Sequence, residues 1–297
     1  LHLLSRRQRQ MCIRDRAEID EPPALSPAVS IPIDGQWQEF PSVSTAEKAS
    51  YADFKAASHR NAQNFHITDN DLGAGGAKAK FQANLNAIQL LKHLEAEGLQ
   101  ASPEQQQILS RYVGWGGLPD AFDESKPGWA SEYQALKAAL TPEEYTAARA
   151  STLNAHYTSP TVIRAIYEAV GNLGFQTGNI LEPSMGIGNF FGMLPENMRG
   201  SRLYGVELDS ITGRIAKQLY PKANITIAGF ETTDRRDFFD LAVGNVPFGQ
   251  YKVNDPVYNK LGFNIHNYFF AKTLDQVRPG GVVAFVTSRY TMDSQNP

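Results

Sequence analysis

Asn245, Val246, Pro247 and Phe248 follow directly on a short apolar run, Phe239-Asp240-Leu241-Ala242-Val243, and together could act on a planar amino group. An amine conjugated to an aromatic ring or a carbonyl is a poor nucleophile, because its lone pair is delocalised. The Asn245 side-chain oxygen and the Val246 backbone carbonyl could both accept from its hydrogens, favouring a pyramidal nitrogen with a localised lone pair. Pro247 stiffens the turn by fixing its own φ. Phe248 offers a face for a flat ring, worth about 1–3 kcal/mol for a nucleobase. Toward a strong electrophile, positioning and polarisation of this kind suffice, and no strong general base is required before transfer.

A second constellation precedes it. Asn179-Ile180-Leu181-Glu182-Pro183-Ser184-Met185-Gly186-Ile187-Gly188-Asn189-Phe190 has the form of a strand, a glycine turn and a helix start. Gly186 and Gly188 would let backbone approach a ligand closely. The third glycine, Gly192, falls one residue late for the dinucleotide pattern. Glu182, at the strand tip, would repel a pyrophosphate and favour a ligand carrying positive charge. S-adenosylmethionine, with a sulfonium, an ammonium and no phosphate, meets that requirement. Glu207 lies 21 residues after Gly186, the spacing at which an acid accepts from ribose hydroxyls. Asp209 is the competing acid and reads better as the N-cap of the helix that begins near Ser210. At the next strand end, Phe230 could lie against an adenine ring or in the core. Glu231 could accept from the adenine amine or simply be solvated.

These residues need a scaffold that gathers strand ends. Ile180-Leu181, Leu203-Tyr204-Gly205-Val206, Ile225-Thr226-Ile227, Asp240-Leu241-Ala242-Val243 and Val282-Val283-Ala284-Phe285-Val286 read as buried strands. They alternate with helical patterns around Ile163–Val170, Ile211–Leu219 and Ile265–Phe269. That alternation implies an α/β, doubly wound, mostly parallel Rossmann-like sheet, whose ligands bind beyond the carboxyl ends of the strands. Before it, residues 61–150 read as a small helical region. Phe81, Leu85, Ile88, Leu91 and Leu94 recur at helical spacing, and Ser102-Pro103-Glu104-Gln105 and Thr141-Pro142-Glu143-Glu144 are helix starts. Trp115, in a glycine-rich turn, reads as a hydrophobic plug rather than a ligand contact. Residues 151–297 then form the catalytic domain, incomplete at its C-terminal end.

The remaining composition excludes several classes. Of 297 residues, 28 are Lys or Arg and 31 Asp or Glu, a net charge of −3, which rules out a uniformly basic coat for nucleic acid but not a local basic groove. Cys12 is the single cysteine, so no intramolecular disulfide forms and a reducing, cytoplasmic setting is expected. No apolar run suggests a membrane span, and no residue set has metal-ligand spacing. His266 reads as structural or phosphate-facing. Residues 1–60 are expected to be a disordered linker, carrying Pro22, Pro23, Pro27, Pro32 and Pro41. The first 16 residues, with five arginines, resemble translated adapter or assembly sequence. Both ends suggest a fragment of a longer chain.

Asn245-Val246-Pro247-Phe248 resembles the motif of amino-group methyltransferases, which runs Asp or Asn, Pro, Pro, then Tyr or Phe. Glu182 to Gly188 resembles their cofactor loop. The loop resemblance implies a cofactor role for Pro183, and His156-Tyr157-Thr158-Ser159-Pro160 resembles the preceding element that contacts the methionine moiety, which implies cofactor roles for Tyr157 and Thr158. The order of these elements is that of N6-adenine DNA methyltransferases. Tyr112-Val113-Gly114-Trp115-Gly116-Gly117-Leu118 and Asn267-Tyr268-Phe269-Phe270-Ala271-Lys272 further resemble the large methylase–helicase proteins of bacterial conjugative elements and phages, over roughly residues 60–297. The resemblance implies S-adenosylmethionine as cofactor, DNA as partner, adenine N6 as target, and a helicase region in the same parent chain. Val246 departs from the family, which commonly has proline there, but its carbonyl is kept.

The loop from Tyr251 to Phe263 could pass a target strand, with Lys252 and Lys260 on phosphates and Tyr258 on a sugar or base, or it could be an ordinary solvated loop. Two other functions compete. One is the same transfer to a protein glutamine amide, whose enzymes share the Asn-Pro-Pro-Tyr motif. The other is a non-catalytic nucleic-acid-binding or scaffold module. A hydride-transferring dehydrogenase is disfavoured by Glu182 and the displaced third glycine.

Overall fold

A computed structural model describes residues 29–33, 36–40, 43–70, 73–152, 158–249 and 251–287. Two compact units are present, residues 1–56 and 57–297.

The first unit differs from the expected linker. Strands β1 (Val29–Ile33) and β2 (Gln36–Phe40) pair antiparallel, with Ile33 opposite Gln36, and helix α1 (Val43–Arg60) begins in this unit. The missed signal was Asp34-Gly35 directly after the alternating Val29, Ile31 and Ile33, a strong hairpin pattern. Pro32 is tolerated in a two-stranded ribbon, because every strand of it is an edge.

In the second unit the helical region is α2 (Ala77–Glu97), α3 (Pro103–Leu109), α4 (Ala130–Ala139) and α5 (Pro142–Ser151). Phe81, Leu85, Ile88, Leu91 and Leu94 are all buried on one face of α2. Ser102 and Thr141 each form a reciprocal capping box, with Gln105 and Glu144 respectively, the geometry their sequences imply.

The second half is helix α6 (Pro160–Asn172), β3 (Asn179–Glu182), the single turn α7 (Asn189–Gly192), β4 (Arg202–Glu207), α8 (Ser210–Leu219), β5 (Asn224–Ile227), β6 (Phe239–Asn245), α9 (Ile265–Gln276) and β7 (Val277–Val286). The five strands order as β5-β4-β3-β6-β7, every neighbouring pair parallel. The chain thus starts in mid-sheet, winds outward through β4 and β5, and returns past β3 to β6 and β7. The reversal lies between β3 and β6, the switch point where α/β sheets bind ligands.

Alternation along the strands feeds two cores. Ile180, Leu203, Leu241 and Val243 face α6 and α8, in one continuous cluster with Phe81, Leu91, Trp115 and Leu136 of the helical region. Leu181, Val206, Phe239 and Ala242 face α9, where Ile265, Tyr268 and Phe269 pack on them. This shared core is why no boundary falls at residue 150. The helical region forms an extra layer on α8: Gln106 Nε2 donates to the Leu219 and Gln218 carbonyls at 3.2 and 3.1 Å, and Ala101 N–H donates to Gln218 Oε1 at 2.8 Å. Arg214 of α8 adds ion pairs to Glu95 of α2 and Glu144 of α5. Burial opposes ionisation of Glu144, yet Lys92, the Thr141 N–H and Arg214 hold its carboxyl down at about 2. Among the described residues no helix is long and apolar enough to cross a membrane.

Candidate active site

The carboxyl ends of β3, β4, β5 and β6 open onto one cleft of about 1330 Å³. That exceeds the roughly 300–1,000 Å³ of a site for one drug-sized molecule, leaving room for two ligands. Glu182, Pro183 and Gly186 line it from β3, Glu207 from β4, Phe230 and Glu231 from β5, and Asn245, Val246, Pro247 and Phe248 from β6. Thr158 and Lys252 also line it. Tyr157 lies outside the described residues.

Glu182 is 2% exposed, and its Oε2 atom has no hydrogen-bond partner. A buried, unsatisfied carboxyl oxygen is costly, and at a cleft wall it points to a ligand that completes it. Burial, with the nearby Glu207 charge, pushes this carboxyl well up toward the neutral acid. A cationic group alongside would reverse that preference, whereas a diphosphate would worsen it. The residues present therefore fit a positively charged ligand.

Glu207 Oε2 accepts from the Gly186 N–H, and Oε1 from the Asp209 N–H, both at 2.8 Å. The first bond ties the β4 acid to the glycine turn, whose φ at Gly186 is 56°, a left-handed conformation natural to glycine. Burial raises the Glu207 carboxyl to about 7, despite these donors. Because the folded value lies above the ordinary one, its stabilising contribution is complete below about pH 4.5 and is lost as pH rises through about 7. If ribose hydroxyls donate to the ionised carboxylate, binding of S-adenosylhomocysteine releases a proton below pH 7. Affinity then weakens by up to about tenfold for each pH unit below 7, and Glu207→Gln flattens the profile. Calorimetry in buffers of differing ionisation enthalpy measures both effects; a flat profile for the parent chain contradicts this role.

Asp209 caps α8, accepting from the Thr212 N–H at 2.8 Å. Between the two acids, Leu208 lines the cleft with 76% of its surface exposed, an apolar side chain that the sequence reading passed over.

The other expected residues are placed as follows by packing within the chain. Gly188 is a packing residue: a Cβ there would meet the Tyr220 ring at 2.6 Å. The Phe230 ring stacks on Phe269 at 4.9 Å and is 3% exposed, and it also borders the cleft. The Glu231 carboxylate folds back over Gly229. Tyr258 does not face a target strand: it is 8% exposed, its hydroxyl donates to Asp275 Oδ2 at 2.6 Å, and its ring meets Tyr268 edge-on. Lys260 is exposed and does not line the cleft. Val246 is 1% exposed and lies in the apolar cluster with Leu181, Phe230 and Ile265. Trp115 is 1% exposed, with rings of Phe81 and Phe122 at 6.1 and 5.3 Å, a core plug. His266 is buried on α9. Among the described residues no cluster of three His, Cys, Asp or Glu could hold a metal ion.

A second group missed by the sequence reading anchors the loop after the β6 motif. Lys272 Nζ donates to Asp255 Oδ2 at 2.8 Å and to the Glu231 carbonyl at 3.0 Å. Tyr268 donates to the same carboxylate at 2.8 Å. The available signal was a lysine one turn after Tyr268 on an apolar helix, since lysine is rarely buried unless paired. The bridge joins the β5 end to Asp255, directly after Tyr251, Lys252, Val253 and Asn254, which line the cleft.

No family model matches the chain. Over 222 residues, 72% of this chain, it is 29% identical to Defense against restriction protein B of Escherichia phage P1, covering 8% of that protein. Over 83 residues, 28% of this chain, it is 35% identical to Type II methyltransferase M.CvrRI of Paramecium bursaria Chlorella virus XZ-6E, covering 21% of that protein. The chain thus spans a small part of the length of either relative. Among solved structures, a class I S-adenosylmethionine-dependent methyltransferase from Listeria monocytogenes aligns with 83% of this chain and 74% of its own, at 15% identity and a TM-score of 0.42.

Proposed function

We propose that this chain binds S-adenosylmethionine and directs its methyl group to the exocyclic N6 amine of adenine in DNA, as one part of a larger protein. The observation that carries the reading is the meeting, in one cleft, of the unsatisfied buried Glu182 oxygen with the Asn245–Phe248 motif. The first calls for a cation and the second for a planar amine. The names of the two relatives, a defence-against-restriction protein of a phage and a type II methyltransferase, agree with such chemistry on DNA.

When bound, S-adenosylmethionine supplies an electrophilic methyl group on a sulfonium. Glu182 would face its positive charge, and Glu207 would accept from the ribose. Leu208 provides apolar cover. Asn245 Oδ1 and the residue 246 carbonyl accept from the adenine amine and free its lone pair. Phe248 stacks on the base, which must leave the duplex to reach the strand ends. The surplus proton of the methylated amine passes to water, so no residue here is assigned as a base. Lys252 supplies a charge for a phosphate at the cleft edge.

The test is incubation with radiolabelled S-adenosylmethionine, unmethylated DNA and a protein extract, followed by hydrolysis. Label in N6-methyladenine is expected. Label in protein glutamine would replace DNA as the substrate, and absence of label alongside retained DNA binding would favour a non-catalytic role.

A further inference from the structure

The helical region does more than buttress α8. Its Tyr112–Gly114 turn reaches the cleft directly, and all three residues line it. The turn is fixed by Asn84 of α2, which is 0% exposed. Asn84 Nδ2 donates to the Gly114 carbonyl at 2.6 Å, and its Oδ1 accepts from the Val113 N–H at 2.8 Å. Both ends of one buried amide are spent on two consecutive residues, so the turn cannot rotate without orphaning a donor and an acceptor. On its other side Tyr112 is 2% exposed and its phenol lies beside Asp209 and Thr212, at the start of α8. That position adjoins Glu207, the acid assigned above to the ribose. The Val113 side chain, only partly buried, is the apolar surface the turn offers to the cleft.

The geometry points to Val113 as a cofactor-binding residue: the Asn84-clamped turn closes the nucleoside end of the cleft, and the cofactor site is shared between the parallel sheet and the helical region. This rests on the S-adenosylmethionine reading and adds a wall to it. It also gives the helical region a role in binding, with Asn84 as the positioning residue and Trp115 as the plug that seats the turn from behind.

The test uses the full chain and S-adenosylhomocysteine. In a Cys12→Ser background, Val113→Cys introduces one small thiol. Its alkylation by N-ethylmaleimide is expected to slow by about tenfold or more at saturating ligand. Val113→Trp, which fills the space, is expected to weaken S-adenosylhomocysteine about 10- to 100-fold at an unchanged unfolding temperature. Equal alkylation with and without ligand, in a chain that calorimetry shows to bind it, overturns the wall while leaving the cofactor reading intact. So does parent-like affinity in a folded Val113→Trp chain. A parent chain that binds no S-adenosylhomocysteine overturns the cofactor reading itself and removes the ligand assigned to this wall.

Discussion

Asn245→Ala is expected to lower methyl transfer by about 100- to 1000-fold, the loss typical of removing one preorganised polar group from a reacting centre. Affinity for S-adenosylhomocysteine should change by less than about threefold, because the cofactor's assigned contacts lie at the β3 and β4 ends and on the Tyr112–Gly114 turn, not on β6. The residue stands at the last position of β6, opposite Val286 of β7, so its place is set by a parallel ladder rather than by a loop. Truncation there leaves the ladder intact. Asn245→Asp keeps an acceptor in the same position and should retain far more activity than the alanine variant. Initial rates with labelled cofactor, alongside calorimetric affinities, separate the two. Equal loss in the Asp and Ala variants would show that accepting from the amine is not the residue's task.

Lys272→Met is expected to cost about 3–5 kcal/mol of stability, read from urea unfolding. The pair it breaks is buried on both sides, Lys272 at 4% and Asp255 at 3% exposure. Removing the ammonium strands a carboxylate that only Tyr268 and the Val257 N–H continue to satisfy. Burial works against the Asp255 charge, while Lys272 and Tyr268 hold its carboxyl below the usual range. That contribution is present above about pH 4 and fades as pH falls further, so the penalty of the variant should shrink in acid. The double variant Lys272→Met with Asp255→Asn should recover part of the loss. A single variant as stable as the parent would mean that the pair contributes nothing net. Since the bridge also holds residues 251–255 against the β5 end, DNA affinity should suffer more than cofactor affinity.

The placement of these residues at the strand ends was legible because strand alternation and glycine turns are local signals. Glu182, Gly186, Glu207 and Asn245 each follow an apolar run whose length and spacing dictate where it stops. Asp209 was legible as a cap for the same reason. Tyr258 was misread because a tyrosine in a polar loop carries no mark of burial; the partner that draws it inward, Asp275, is 17 residues away on another element. The Tyr112–Gly114 turn was noticed for its glycines, but its place at the cleft depends on α2 and α8, which no short stretch encodes. Gly188 met the pattern expected of a ligand turn, yet its missing side chain makes room for Tyr220, a contact set only by tertiary packing. The β1–β2 hairpin was hidden by proline content, although Asp34-Gly35 announced it.

The most direct measurement of the central claim is a crystal structure of the chain soaked with S-adenosylhomocysteine. The ligand's ammonium or sulfur is expected to face Glu182, its ribose to meet Glu207, and the Asn245 amide to look into the remaining space where an adenine would enter. A ligand bound elsewhere, or an Asn245 side chain directed away from the thioether, would contradict it.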